Sequence, residues 1–598
     1  MYLSELHIKN FRSISSCELH FNPGLNVIVG ENNIGKTTII DALRALLPTI
    51  DQQAYGLSEF DICQQNTNNP IEISYVFDAL SIEEEAIFIE ALVPKGDGFQ
   101  AHFHVRFRPG KYLRKLRAQR WCGKHEGERI PSELLEELIS VYLPPLRNPT
   151  EGLRPGYNSQ IAQLVRGLAT DQDQDELVKL VKEADEKLRT QNVVSSATGA
   201  INTKLTDITG EDMRQQVALS FSNPEFRKIL GRLSLSIDSM DVAQNGLGYN
   251  NIIYTAAVLS QLTQENQAAY RSLLIEEPEA HLHPQLQTLL LRHLTEQTEE
   301  NEDTAAPGEE VGAEPKAANN TSDNSQKNNQ KHPVQVIVTS HSPIIASQAP
   351  LKSIVSVHYQ NKMAKSVGAG SLFANDGKGK LQRKLERYLD ATRAELFFAK
   401  RIIFVEGIAE AILVPAMATL HNIDLKEKAV SIVNVQGLNF DAFIPLLQEN
   451  GIAIPVSIIT DADPPKVDNQ EVYPKKGDVS ILSDTATTLA KQQTDTLKVF
   501  HSLKTFEYDL GLEANNIPTL IKAFAKLHPQ VTKDLKGALA ENDYEKNVQF
   551  FKAFEKSCKS KGEFAQQLAQ KIEDKEPFTP PQYIVDAISH VIKTEKET

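Results

Sequence analysis

Residues 25–37 read LNVIVGENNIGKT and constrain the chain more than any other stretch. An apolar run enters a GxxxxGK[ST] loop and passes directly into TTIIDALRALL (37–47), giving a strand, a glycine loop and a helix in succession. Such a loop turns several backbone N–H groups toward one point, which suits a phosphate chain, and the helix N-terminus behind it adds its own free amides. Gly30, Asn33 and Gly35 form the turn, and Lys36 supplies a cation for the outer phosphates. Thr37 supplies a hydroxyl for Mg²⁺, and Thr38 belongs to the first turn of the helix. A strand feeding a helix in this way predicts an α/β fold.

Two further segments complete the pattern. In RSLLIEEPEAHLHP (271–284) an apolar strand ends at Glu276 and Glu277, placing one carboxylate for Mg²⁺ and the next near an attacking water. Acids capping a buried apolar strand are poorly explained as a solvated surface. VQVIVTSHSP (334–343) is another such strand, ending near His341. A lone histidine there is more often structural, but beside the loop and the acid pair it is placed to sense a γ-phosphate.

A second α/β pattern opens near residue 399, with AKRIIFVEG, AVSIVNVQG and VSIITDADP separated by helical stretches. Glu406 ends one strand, and Glu410 follows four residues later on the same side of a helix. Asp461 and Asp463 stand at the tip of another strand and share a face if that strand continues. Carboxylates converging at the ends of parallel strands repel one another unless cations neutralise them, and all-oxygen ligands suit Mg²⁺ or Mn²⁺.

These segments resemble known families. GENNIGKT, LLIEEPEAHLHP and VIVTSHSP look like the Walker A, Walker B and switch-histidine motifs of SMC-like ABC ATPases, and NFRS (10–13) is typical of them. NGLGYNNIIYTAAVL (245–259) resembles a degenerate ABC signature, with Gly246 and Gly248 opening a helix but without the usual Ser-Gly-Gly form. The Glu and DxD pair resembles the Toprim signature. A second Glu such as Glu410, together with an ABC ATPase half, is similar to the overcoming-lysogenization-defect (OLD) nucleases. By that likeness Glu507 and Asp509 of KTFEYDL complete a second metal site, and Lys561 of KGEFAQQLA is a cation near the transition-state phosphate. The resemblance implies ATP with one Mg²⁺, two Mg²⁺ or Mn²⁺ ions in the Toprim site, and a homodimer or higher homo-oligomer whose signature helix completes the partner's ATP site. It further implies DNA endonuclease or nickase activity in anti-phage defence, with a further protein or RNA component as a possible partner. The competing reading is a DNA-repair or DNA-structuring ATPase whose Toprim half is a non-cleaving scaffold, which leaves the acids without a task. A topoisomerase or primase is disfavoured, since no tyrosine stands out and no cysteine-rich zinc module is present.

The expected fold class is therefore an ABC-type P-loop ATPase domain (1–395) followed by a Toprim α/β domain (396–598). The first carries a helical, dimerising insertion at about 152–235. There Leu177, Val181, Ala184 and Leu188 form one stripe, equally consistent with packing on its own domain. Residues 299–332 have almost no large apolar side chain and are expected to be a disordered insertion. The net charge of −15 excludes DNA binding over the whole surface, so contact must be local. Residues 106–120, RFRPGKYLRKLRAQR, with Tyr112 among seven basic residues, are the candidate, against the plainer reading of a solvated β-ribbon. Four scattered cysteines and no apolar run of spanning length point to a cytoplasmic protein without a membrane segment.

Overall fold

The computed structural model describes residues 1–593 apart from 48–55, 65–68, 97, 110–115, 128, 146–147, 211, 214, 220–224, 239, 265–267, 300–333, 361–362, 375, 378 and 449. The expected disordered insertion lies outside the described residues from position 300 onward, as do Tyr112 and the centre of the basic segment.

Three large sheets organise the described residues, beside one two-stranded ribbon at Ser236–Ile237 and Met240–Asp241. An antiparallel sheet takes strands in the order Ile14–His20, Tyr2–Phe11, Ile71–Asp78, Gly98–Pro109 and Leu92–Lys95, with Leu116–Cys122 also paired to Gly98–Pro109. Against it lies a six-stranded sheet ordered Met363–Gly368, Ile354–Gln360, Leu25–Gly30, Val334–Thr339, Tyr270–Glu276 and Leu138–Leu143, parallel except for its first pair. The third is fully parallel, in the order Val430–Asn434, Arg401–Val405, Val456–Thr460 and Leu497–His501.

The two-residue side-chain period of a strand explains how these sheets share cores. In Leu25–Gly30, Val27 and Val29 enter the cluster shared with the third sheet, while Ile28 faces the antiparallel sheet and the loop helix Lys36–Leu46. In Arg401–Val405, Ile402 and Phe404 enter that shared cluster, and Ile403 and Val405 face the C-terminal helices. One continuous apolar core thus runs from the loop strand to the C-terminal sheet. At about 1.5–3 kcal/mol for each fully buried aliphatic side chain, it holds the two α/β units together.

The stretch 152–235 is mainly helical, as expected, with helices Gln160–Leu168, Asp171–Arg189, Asn192–Thr209 and Phe226–Leu230. Its apolar stripe is not buried within the chain: Leu177 and Val181 are half-buried, and Ala184 and Leu188 are exposed. The basic segment forms paired strands, with Arg106 opposite Gln119 and Arg108 opposite Arg117. Arg106 is engaged by Glu72 and Glu126 at 2.7 and 2.6 Å, whereas Arg117 and Arg120 are exposed.

Candidate active sites

The phosphate loop closes tightly over its own lysine. Gly30 has φ +154° and stands so close to the Val357 carbonyl that a Cβ would lie 2.3 Å from its oxygen, so only glycine fits. Lys36 Nζ donates to the carbonyls of Gly30 and Glu31 at 2.6 and 2.7 Å. Burial brings its pKa down to about 8, against the attraction of Glu277, Glu279 and Glu31. Thr37 Oγ1 donates to Glu276 Oε2 at 2.9 Å, joining the loop to the tip of the strand Tyr270–Glu276. Asn33 and Gly35 hold positive φ within the loop, and Thr38 is buried behind it.

The acid pair divides as its position predicts. Glu276 is buried, while Glu277 lies past the strand end with φ +45°, its carboxylate 3.6 Å from His341 Nε2. Burial and Lys36 both lower the His341 pKa, which favours the neutral imidazole. Gly248 packs its backbone on the turn after the acid pair, where a Cβ would meet the His281 carbonyl oxygen at 2.7 Å. Gly246 is open, at the exposed start of the helix Leu247–Gln264.

Sequence reading missed the residues that hold this site in place. Tyr142, on the strand Leu138–Leu143, donates to Glu276 Oε1 at 2.8 Å, and the Arg44 guanidinium stacks 3.9 Å from its ring centre. Glu279 accepts from the His341 amide at 2.6 Å and from Ser340 Oγ at 3.1 Å, fixing the histidine loop. Arg12 of NFRS bridges Asp41 of the loop helix and Asp61 at 2.6 and 2.7 Å, which ties the antiparallel sheet to the loop. These pairings join positions far apart in sequence and carry no local signal.

The C-terminal acids gather at the carboxyl edge of the parallel sheet. Glu406 Oε1 accepts from the Asp461 amide at 2.8 Å and from the Thr460 hydroxyl. Asp461 Oδ1 accepts from the Phe506 amide at 2.7 Å and Ser502 Oγ at 3.2 Å. Glu410 lies buried in the first turn of the helix Ile408–Leu420, and burial lifts its carboxyl to about 7, with Glu507 and Glu406 adding to the rise. Asp461 is pushed well above the carboxylate range by burial, then by Glu406, Glu507, Glu410 and Asp463. The strand ends at Thr460 and Asp463 has φ +43°, so the two aspartates share a loop rather than a strand face.

Glu507 and Asp509 are both buried on the short helix Phe506–Leu510, which departs from the usual solvation of short charged motifs. Lys561 Nζ lies 2.9 Å from Glu507 and within electrostatic reach of Asp461 and Glu410. Asp509 instead accepts from the amides of Leu503 and Lys504 at 2.6 and 3.2 Å, and burial raises it to about 7. Sequence reading also missed Tyr583, whose hydroxyl is buried without a hydrogen-bond partner beside Asp509, Asp461, Glu410 and Glu507.

This donor set fits hard divalent cations: its ligand atoms are all oxygen, its carboxylates repel, and a buried hydroxyl without a partner lies within their electrostatic reach. Among the described residues, His and acid ligand atoms come together within 4.8 Å in groups of three only at Glu5, Glu18 and His20, on the antiparallel sheet. The C-terminal carboxylates form no such group of three, and several of them accept from backbone amides or hydroxyls.

The model for the AAA ATPase domain matches residues 1–114 and 146–346, just over half of the chain, and the model for the overcoming lysogenization defect protein-like TOPRIM domain matches 397–463. The chain belongs to the OLD family. An OLD nuclease of Thermus scotoductus is 22% identical over 73% of this chain and 77% of its own length. Endonuclease GajA of Bacillus cereus is 21% identical over 99% of both chains. Among solved structures, the C-terminal region of the Burkholderia pseudomallei OLD protein is 26% identical over 33% of this chain and 98% of its own, with a TM-score of 0.25. In this OLD-family chain the ATPase match contains the phosphate loop and the acid pair, and the TOPRIM match contains Glu406, Glu410, Asp461 and Asp463. Among the described residues, no helix is long and apolar enough to cross a membrane.

Proposed function

We propose that this OLD-family protein is a DNA endonuclease or nickase that depends on Mg²⁺ or Mn²⁺, is regulated by ATP and serves in anti-phage defence. The observation that carries the reading is the mutually repelling set of half-buried Glu406 and Asp461 and buried Glu410 and Glu507, with Lys561 at the same sheet edge. Names of two relatives, an OLD nuclease and an endonuclease, support the activity.

Glu406, Glu410, Asp461 and Asp463 would hold one divalent ion, and Glu507 with Asp509 would contribute to a second. Bound there, such ions supply an activated water and charge stabilisation for the leaving oxygen. The chain's own residues do the rest. Lys561, oriented by Glu507, presents a cation to the phosphate, while Thr460, Ser502 and the Phe506 amide fix Glu406 and Asp461.

In the ATP site, Lys36 and the loop amides bind the phosphates, and Thr37 and Glu276 would share one Mg²⁺. Glu277 orients the attacking water, and His341 contacts the γ-phosphate. The partly exposed stripe of the helix Asp171–Arg189 supports a homodimer, in which Gly246 and Gly248 of one protomer face the partner's ATP. Exposed Arg117 and Arg120 support DNA contact along the basic ribbon.

The test is incubation of supercoiled plasmid with the full chain in Mg²⁺ or Mn²⁺, with and without ATP. The expected result is nicked or linear product that disappears with EDTA. Intact plasmid under every condition, despite ATP hydrolysis, would leave the scaffold reading in its place.

A further inference from the structure

The outer side of the phosphate loop opens on a cleft of about 660 Å³ whose walls come from both halves of the chain. Glu31, Asn32 and His341 line one side, and Lys400, Lys426 and Ser431 line the other. A phosphate loop and its switch histidine therefore face cations from the Toprim half. Lys400 Nζ stands 3.6 Å from the Glu31 carboxylate, and its side chain is 58% exposed against 19% for Glu31. Glu31 is held from both sides, since Lys36 Nζ donates to its backbone carbonyl at 2.7 Å.

A bound anion changes these pairings. Lys36 rests on neutral carbonyl oxygens, which a phosphate chain displaces because an anionic acceptor attracts the ammonium more strongly. A triphosphate held by the loop adds several negative charges beside the Glu31 carboxylate, and at short range, away from bulk water, such like charges repel appreciably. Lys400, largely exposed on a flexible four-carbon stem, is the cation beside that carboxylate. We propose that Lys400 belongs to the nucleotide site: it leaves Glu31 to bind the terminal phosphate of ATP, so the Toprim half reads whether a triphosphate or a diphosphate is bound. The inference rests on the ATP reading given above.

The experiment measures binding of ADP and of a non-hydrolysable ATP analogue by calorimetry, with the full chain in Mg²⁺. Lys400→Met should weaken the analogue roughly tenfold while changing ADP by less than about twofold, and Lys400→Arg should keep most of the preference. Glu31→Gln frees the lysine and should tighten the analogue, a gain that a poorly folded variant cannot mimic. Equal losses for both nucleotides in Lys400→Met, no loss, or no gain in Glu31→Gln would each overturn the proposal. If Lys36→Met bound both nucleotides as the unaltered chain does, or the unaltered chain bound neither, the ATP reading itself would fall, and this inference with it.

Discussion

Glu276 and Asp461 occupy matching places at the ends of central parallel strands, yet their surroundings differ in how the negative charge is met. Both oxygens of Glu276 receive hydroxyl donors, from Thr37 at 2.9 Å and Tyr142 at 2.8 Å. Asp461 uses one oxygen for the Phe506 amide and Ser502, and then faces Glu406, Glu507, Glu410 and Asp463. The ATP site is thus organised by the chain itself before a nucleotide arrives. The Toprim site is left strained by repulsion, with Lys561 bound to Glu507 as partial relief. A polar group satisfied inside the fold stabilises it, whereas clustered buried charge is stable only with a counter-ion.

The largest effect expected from this difference is chemical. Asp461→Ala should lower DNA cutting on the order of a hundredfold or more while ATP hydrolysis continues, and Thr37→Ala should lower ATP hydrolysis while DNA cutting measured without nucleotide continues. Plasmid cutting and phosphate release, measured on the same preparations, decide it; parallel losses in both variants would break the comparison.

Next comes metal-linked stability. At about 100 times its dissociation constant, Mg²⁺ or Mn²⁺ should add about 2.7 kcal/mol. The gain should persist in Thr37→Ala and vanish in Asp461→Ala by thermal melting.

A smaller effect has opposite signs at the two sites. In EDTA, Asp461→Asn should raise stability by about 1 kcal/mol, because a neutral amide removes repulsion and can still accept from Phe506 and Ser502. Glu276→Gln should lower it by about 1 kcal/mol, because one hydroxyl must turn from donating to accepting and charge-assisted hydrogen bonds to a carboxylate are lost. Denaturant midpoints of the two variants measure both signs, and equal signs would refute the contrast. Smallest is Tyr142→Phe, expected to cost roughly 0.5–1.5 kcal/mol through one lost hydrogen bond to Glu276, with a matching shift in the denaturant midpoint.

The parts of these sites that announce themselves in sequence are those made by contiguous residues. GENNIGKT, IEEPEAH and the strand-ending Glu406 and Asp461 are legible because a strand, its tip and the following helix are local events. The third sheet was legible in the same way, from apolar runs alternating with helical ones. Tyr142, Glu279, Thr460 and Tyr583 were not, since their roles arise only when distant strands and helices pack. The burial of Glu507 and Asp509 was also hidden, because a five-residue helix has too little periodicity to reveal its inner face. Asp463 misled in a small way: a left-handed backbone at an aspartate is rare enough that a continued strand is the natural expectation.

The most direct test of the central claim is Mn²⁺ binding to the nucleotide-free chain, followed by the loss of free-ion resonance signal and repeated with Glu406→Ala and Asp461→Ala. The account predicts tight binding by the unaltered chain and its loss in both variants, with ATP affinity retained. Unchanged Mn²⁺ binding in either variant would contradict it.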